Sequence, residues 1–399
     1  MAYRTEYEYA VEMVYIDKDG DAHIILPESI QYIVIDKDYD KYSMPLVYCS
    51  IKLDADIYNA MYNAQGNGMV MLRISDVQKS GTSKAPKTYL SEQFQYYMTD
   101  KPNPTQATDK LVSGQGVAFK TCILGLIKPD LVKRNQKQFN TVYRDTNTVT
   151  IVQNALLDQT LVMQPFTNNV NIKEFPVPPQ STVMRFIDYV NSRYTFYNSP
   201  YLYFMDFDKT YLKANDGMYL DAKDGQFPYI AFSIRDLSVL TKNLAGVVID
   251  DKQKAYIIYV DKKSVRTFTD RNTSQIAGTI ASVDKNGSIK ETDLSSLQGI
   301  TNIDTNLDSK IYVSSKTNEN VGQSATVGLQ TNTVTVTIMK AGLDASIFTP
   351  NKQFIISTFE NNDQYTGRYY MASQKVLLEN TGTAFQSAIY FGLKLILHY

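Results

Sequence analysis

The chain opens on strict alternation. Tyr7, Tyr9, Val11, Met13 and Tyr15 fall on one face of an extended segment, with Glu6, Glu8 and Glu12 on the other. A period of two marks a half-buried strand. Asp17-Lys18-Asp19-Gly20 supplies turn chemistry, so the pattern predicts a hairpin whose return carries His23, Ile24, Ile25 and Leu26. Apolar runs at Ile30–Ile35, Leu46–Leu53, Met69–Ile74 and Phe94–Met98 predict further strands. After Leu53, Asp54 or Asp56 is placed to cap a short helix with Ile57, Ala60 and Met61 inward. Residues 1 to about 125 therefore read as a small β-barrel or sandwich carrying one helix.

A turn-rich stretch, Lys101–Gly116, ends that region, and the pattern then becomes more helical. Val152, Leu156, Leu157 and Leu161 form an apolar stripe, and prolines hold Phe175–Pro179 extended. Ser181 is placed to cap a helix with Met184, Ile187 and Tyr189 or Val190 inward, ending near Ser192. A strand through Thr195-Phe196-Tyr197, a turn through Asn198-Ser199-Pro200 and a strand over Tyr201–Phe207 follow. From Tyr229 strands dominate again: Tyr229–Ile234, Ala255–Val260, Thr279–Val283, Thr333–Ile338, Gln353–Phe359, Gly367–Ala372 and the stretch Ile389–Leu397. Residues 284–332 are polar and read as an exposed insertion, loosely packed or ordered only beside a partner. The expected division is a β domain over 1–125, a mixed α/β domain over 126–228 and a second β domain over 229–399. No repeat of fixed period runs through the chain.

Composition narrows the function. A chain of 399 residues exceeds one ordinary core. It carries 30 tyrosines against two histidines, two cysteines and no tryptophan, a poor stock for metal or nucleophilic chemistry. Tyr suits half-buried strands and protein contacts, because a broad apolar face ends in a polar tip. Forty basic and 41 acidic residues leave a net charge of -1, and no Lys/Arg block offers a nucleic-acid backbone a grip. No apolar run reaches the ~20 residues a bilayer span needs, and the N-terminus lacks the apolar stretch of a signal peptide, so no membrane partner and cytoplasmic synthesis are expected. Cys49 and Cys122, each among apolar neighbours, are expected as buried free thiols.

Each candidate for chemistry has a plainer reading. Asp17–Asp21 suggests a calcium loop, but Gly20 stands fourth rather than sixth and strands flank it, so a hairpin turn is expected. Asp206 and Asp208 would share one face of an extended chain and could form an acid pair or hold a cation, yet no His or Cys lies near, and solvated strand-end carboxylates are expected. His23 and His398 are too few for a zinc site, and Gly114-Gln115-Gly116 lacks the third glycine of a dinucleotide loop. A carboxylate pair that cleaves glycosides has no fixed local signature and stays open. The expectation is no catalytic residue, no cofactor and no metal.

The run Lys173-Glu174-Phe175-Pro176-Val177-Pro178-Pro179-Gln180-Ser181, continuing through the helix to Tyr194, resembles a segment of the baseplate hub proteins of contractile phage tails. There an extended lead enters a helix, and a strand pair follows, here Thr195–Tyr197 and Leu202–Phe207, then Lys209–Leu212. The wider family includes the base of the type VI secretion spike. The N-terminal β region with its helix after Leu53 is similar to the hub's first tube-like domain. The resemblance implies a mainly β fold with α+β parts: two tube-like β-barrel domains plus a smaller α/β region. It implies a homotrimer in the virion that meets a tail tube protein, a central spike protein and baseplate wedge proteins, with DNA passing unbound through the channel. Two readings remain beside it. One is another virion component, such as a tail-tube or tail-completion protein; the other is a receptor- or polysaccharide-binding tail protein.

Overall fold

A computed structural model describes residues 7–39, 43–65, 67–77, 86–100, 119–156, 161–194, 196–197, 201–214, 227–235, 247–271, 279–283, 289–293, 305–306, 312–314, 332–358 and 366–396. The alternation at the N-terminus becomes β1 (Glu8–Ile16), with Tyr9, Val11, Met13 and Tyr15 buried. The predicted return is β2 (Ala22–Ile25), and β3 (Ile30–Asp38), β4 (Leu46–Asp54), α1 (Ala55–Asn63), β5 (Met69–Asp76), β6 (Thr88–Asp100) and β7 (Phe119–Ile127) follow. The turn-rich stretch Lys101–Gly116 lies outside the described residues.

The middle of the chain forms α2 (Pro129–Gln136), β8 (Gln138–Phe139), β9 (Val142–Asn147), α3 (Thr148–Ala155), β10 (Leu161–Met163), β11 (Asn171–Pro176), β12 (Ser181–Thr182), α4 (Val183–Tyr194), β13 (Tyr201–Met205) and β14 (Thr210–Ala214). Strands then return as β15 (Tyr229–Arg235), β16 (Val247–Asp250), β17 (Ala255–Asp261), β18 (Val265–Arg271), β19 (Thr279–Val283), β20 (Ile289–Asp293), β21 (Thr305–Asn306), β22 (Tyr312–Ser314), β23 (Asn332–Ala341), β24 (Gln353–Thr358), β25 (Gly367–Asn380) and β26 (Phe385–Leu395). The fold is mainly β with α+β parts.

Pairing closes a ring of eight strands in the order β1-β5-β6-β7-β4-β3-β25-β26 and back to β1. Six of them come from the N-terminal region, and the last two are the C-terminal hairpin, so strand pairing crosses the expected boundaries near 125 and 229. The interior is packed with side chains, among them Tyr15, Ile33, Cys49, Leu72, Phe94 and Leu124, and is a core rather than a pore. The same hairpin also sits in the middle of a second sheet, ordered β18-β23-β26-β25-β24-β15-β17-β16. Between Met371 and Ser373 the register of β25 shifts, where its partner changes from β24 to β3. A bulge bends and twists a strand, and that bend lets one hairpin serve both sheets.

Helix α1 lies across one mouth of the ring. The Asp54 carboxylate accepts the Ile57 amide at 2.8 Å, an N-cap, and the Tyr96 hydroxyl donates to the Met61 carbonyl at 2.8 Å. Its inner face is Tyr58 and Met61; the expected Ala60 faces solvent.

A second core joins α3 and α4 to Phe139, Phe175 and Tyr203. Here four expectations change. The inner face of α4 is Val183, Phe186, Ile187 and Val190, with Met184 exposed, because the helix turns the other edge of its apolar arc toward α3 and Phe139. Ser181 does not cap it: its hydroxyl donates to the Pro178 carbonyl at 2.7 Å, and its backbone pairs with Phe139. The apolar stripe is not one helix, since α3 ends at Ala155 and Leu161 belongs to β10. Phe196 and Tyr197 form a bend rather than a strand, and the strand pair is β13 with β14. The polar insertion holds β20, β21 and β22, paired with β19 in a four-stranded sheet, and Asn332 at its end begins β23; the rest of 284–332 lies outside the described residues.

Candidate interaction surface

The second mouth of the ring is filled by the turn between β13 and β14. Phe204, Phe207 and Tyr211 join the ring's core, with Phe204 against Tyr39 and Phe207 edge-on to Phe94. Lys37 stands on the inward face of β3, in step with Ile33, Ile35 and Tyr39. Its ammonium meets the Asp206 carboxylate at 2.7 Å and sits 4.8 Å from the Phe207 ring centre. Burial is the largest single influence and works against the charged lysine, but Asp206, Tyr89 and Asp208 together outweigh it, and the Lys37 pKa lies above the ordinary lysine range. Lys128 completes the latch by donating to the Phe207 carbonyl at 2.7 Å while pairing with Glu92. Asp206 is therefore not the solvated carboxylate expected from its strand-end position but the partner of the buried Lys37. The available signal was Lys37, a charge at an inward step of an alternating strand.

The outer face of the ring is apolar over a wide arc. Cross-strand partners run Tyr97–Gly125–Tyr48–Val34–Leu377–Ala388 across β6, β7, β4, β3, β25 and β26, without a charge. Tyr97 and Tyr48 are 49% and 39% exposed, and between them Gly125 leaves a notch, since a Cβ there would meet nothing closer than a backbone oxygen at 3.8 Å. The next row, Thr99–Ile123–Ser50–Tyr32, is also uncharged. Interface centres have this makeup: tyrosine and aliphatic side chains, with charge at the rim. Here the rim carries Lys52, Asp36, Lys375 and Glu379.

The remaining candidates are structural. Asp17 accepts the Asp19 and Asp21 amides at 2.9 Å each, Gly20 takes a φ of 92°, and the segment is the hairpin turn rather than a calcium loop. His23 contacts Asp17 at 3.2 Å and stacks on Tyr15; that hydrogen bond leads in holding the Asp17 carboxyl below the usual carboxylate range. His398 lies outside the described residues. Cys49 and Cys122 are buried free thiols on the neighbouring strands β4 and β7. Among the described residues no group of three or more His, Cys, Asp or Glu could hold a metal ion, and no helix is long and apolar enough to cross a membrane. Large tyrosines do fill the core, as Tyr9, Tyr15, Tyr39, Tyr96 and Tyr369 are fully buried.

No curated protein matches the chain in sequence. Among solved structures it is similar to a tail protein of Neisseria meningitidis, at 10% identity and a TM-score of 0.49 over 97% of this chain and 96% of that one. It is also similar to the 43 kDa tail protein of prophage MuSo2 from Shewanella oneidensis, at 7% identity and 0.46 over 95% and 97%. A third is an E. coli type VI secretion component described as structurally similar to the T4 bacteriophage tail proteins gp27 and gp5, at 7% identity and 0.42 over 93% and 74%. Sequence family is the firmer measure: over residues 4–395 the chain matches the Bacteriophage PBS1 gene 109 protein family, and it belongs to that family.

Proposed function

We propose that this protein is a non-enzymatic structural subunit of a phage tail baseplate, a hub whose three copies form a ring between a sixfold tail tube and a threefold spike. The observation that carries the reading is the shared hairpin β25–β26, through which one chain presents two eight-stranded sheets. Three such chains offer six comparable β units around an axis, so one side of the ring can meet a hexamer while the other keeps threefold features. Membership of a phage family supports a place in the virion. The near-neutral charge of -1 suits a bore that lets DNA slide without holding it. The tail tube, spike and wedge proteins are the partners this role requires.

Mass in solution combined with imaging of the purified full chain tests the role. Three copies around an open channel are expected. Six identical copies per ring would assign the protein to the tube instead. Glycan cleavage by the pure protein would end the non-enzymatic reading.

A further inference from the structure

Lys37 and Asp206 meet behind aromatic rings. Their side chains are 9% and 17% exposed, Nζ lies 2.7 Å from Oδ1, and the Phe207 ring covers the ammonium. Phe94 and Phe204 pack the same mouth of the ring. The Phe207 amide donates to the same Oδ1 at 2.9 Å, which fixes the carboxylate, and no hydrogen bond among the described residues engages Oδ2. An ammonium carries three donors, yet among the described residues Lys37 has this one oxygen. The equally short Lys128–Glu92 pair differs, since Lys128 also reaches the Phe207 carbonyl at 2.7 Å. Two charges with so few hydrogen bonds are costly to keep in a dry interior.

A third group stands beside the pair. Tyr89 is the extra residue of a bulge in β6, between Thr88 opposite Ser75 and Leu90 opposite Ile74. Bulges re-aim side chains, and this one packs Tyr89 onto the ring's core against Tyr9. Its hydroxyl is buried and has no hydrogen-bond partner among the described residues. Burial, and after it the charges of Lys37 and Asp206, act on that hydroxyl, with a net rise in its pKa that keeps it protonated. A protonated phenol can give one proton while taking another.

We propose that Lys37 and Asp206 close into an amide bond in the folded chain, a covalent cross-link between β3 and the β13–β14 turn. The new bond joins Nζ to Cγ, and the bond from Cγ to Oδ2 breaks. Two of the three ammonium protons pass to Oδ2, which leaves as water, and the third stays on the amide nitrogen. No oxidant, reductant or other co-reactant enters. Tyr89 relays the protons and ends as it began. The Phe207 amide steadies Oδ1, the oxygen that becomes the amide carbonyl. With Nζ at 2.7 Å from Oδ1, the attacked carbon lies at most one C–O bond further, close to a near-attack arrangement. The raised Lys37 pKa concerns loss of a proton to water; here the protons move inside the pair, and burial favours the uncharged product. The freshly folded chain holds the ion pair, and the amide forms from it. Once formed, it fastens a turn 169 residues distant in sequence into the mouth of the ring.

The mass of the intact chain tests this without any variant. Purified full chain, held at neutral pH until its mass stops changing, should weigh one water less than its sequence. Digestion should then release the Lys37 and Asp206 peptides as one joined piece. Lys37→Arg keeps a cation but lacks the amine that forms this bond, so it should keep the full mass with both peptides separate. Tyr89→Phe removes the relay and leaves the ion pair, and it should slow the loss of water by about tenfold or more. A succinimide, as at Asp19–Gly20, also loses water but leaves the two peptides separate. Full mass in the aged chain, or a water lost only at such a site, overturns the cross-link. A Tyr89→Phe chain that links at the unaltered rate overturns the relay.

Discussion

Lys37 shows what a single residue settles in this molecule. It is a lysine at an inward step of a strand, and it is tolerated because Asp206 arrives from a segment 169 residues away. Removing one member of a buried pair leaves the other charge stranded, so Lys37→Met is expected to cost about 3–5 kcal/mol. Joining it to Asp206→Asn should recover part of that loss, which urea denaturation of the two variants will measure. Lys352 gives a pH signature. Burial, followed by repulsion from Lys87, pushes its pKa from the usual 10.5 down to about 8, against the pull of Asp344. Between those values the unfolded chain binds more protons than the folded one, so stability contributed here rises with pH across that window. Lys352→Met should flatten the rise, as read from urea midpoints at a series of pH values. The turn residues Asp17 and Gly20 and the cap Asp54 were legible in sequence, because their partners lie within four residues. Asp206 was not, because its partner is remote.

At the scale of elements, strands were read more surely than helices. In β1 only one face is apolar, so alternation leaves a single choice of inside and outside. Helix α4 offers Val183, Met184, Phe186, Ile187, Tyr189 and Val190, an arc wide enough that either edge could turn inward. Contact with α3 and the stacking of Phe186 on Phe139 select Val183 and Phe186 over Met184 and Tyr189. Phe186→Ala should therefore cost about 3–5 kcal/mol, while Met184→Ala stays within about 0.5 kcal/mol. Thermal unfolding of the pair distinguishes the two registers. Loss of the α1 cap in Asp54→Ala should cost about 0.5–2 kcal/mol on the same measurement.

For the whole molecule, the C-terminal hairpin is the decisive element. It supplies two of the eight strands of the first ring, and β1 and β3 have their partners in it. A fragment that stops near residue 127 keeps six strands but exposes two unpaired edges and an opened core. It should show neither a cooperative unfolding transition nor dispersed amide resonances, whereas the hairpin supplied as a separate peptide should restore both. Cooperative folding of the fragment alone would mean that the ring does not depend on closure.

Sequence alone was enough for the alternation of β1, the apolar runs that become β3 to β6, the hairpin at Asp17–Gly20, the capped helix after Leu53, the buried thiols and the resemblance to a phage structural family. All of these rest on neighbours close along the chain, or on composition, where short-range preferences act. The closure of the ring by strands more than 300 residues apart, the Lys37–Asp206 latch and the register of α4 came from packing. Each depends on which distant surfaces meet, and local pattern carries no record of that. The outer tyrosine row lies between. Its tyrosines are plain in the sequence, but only cross-strand register sets Tyr97, Gly125 and Tyr48 side by side on one face.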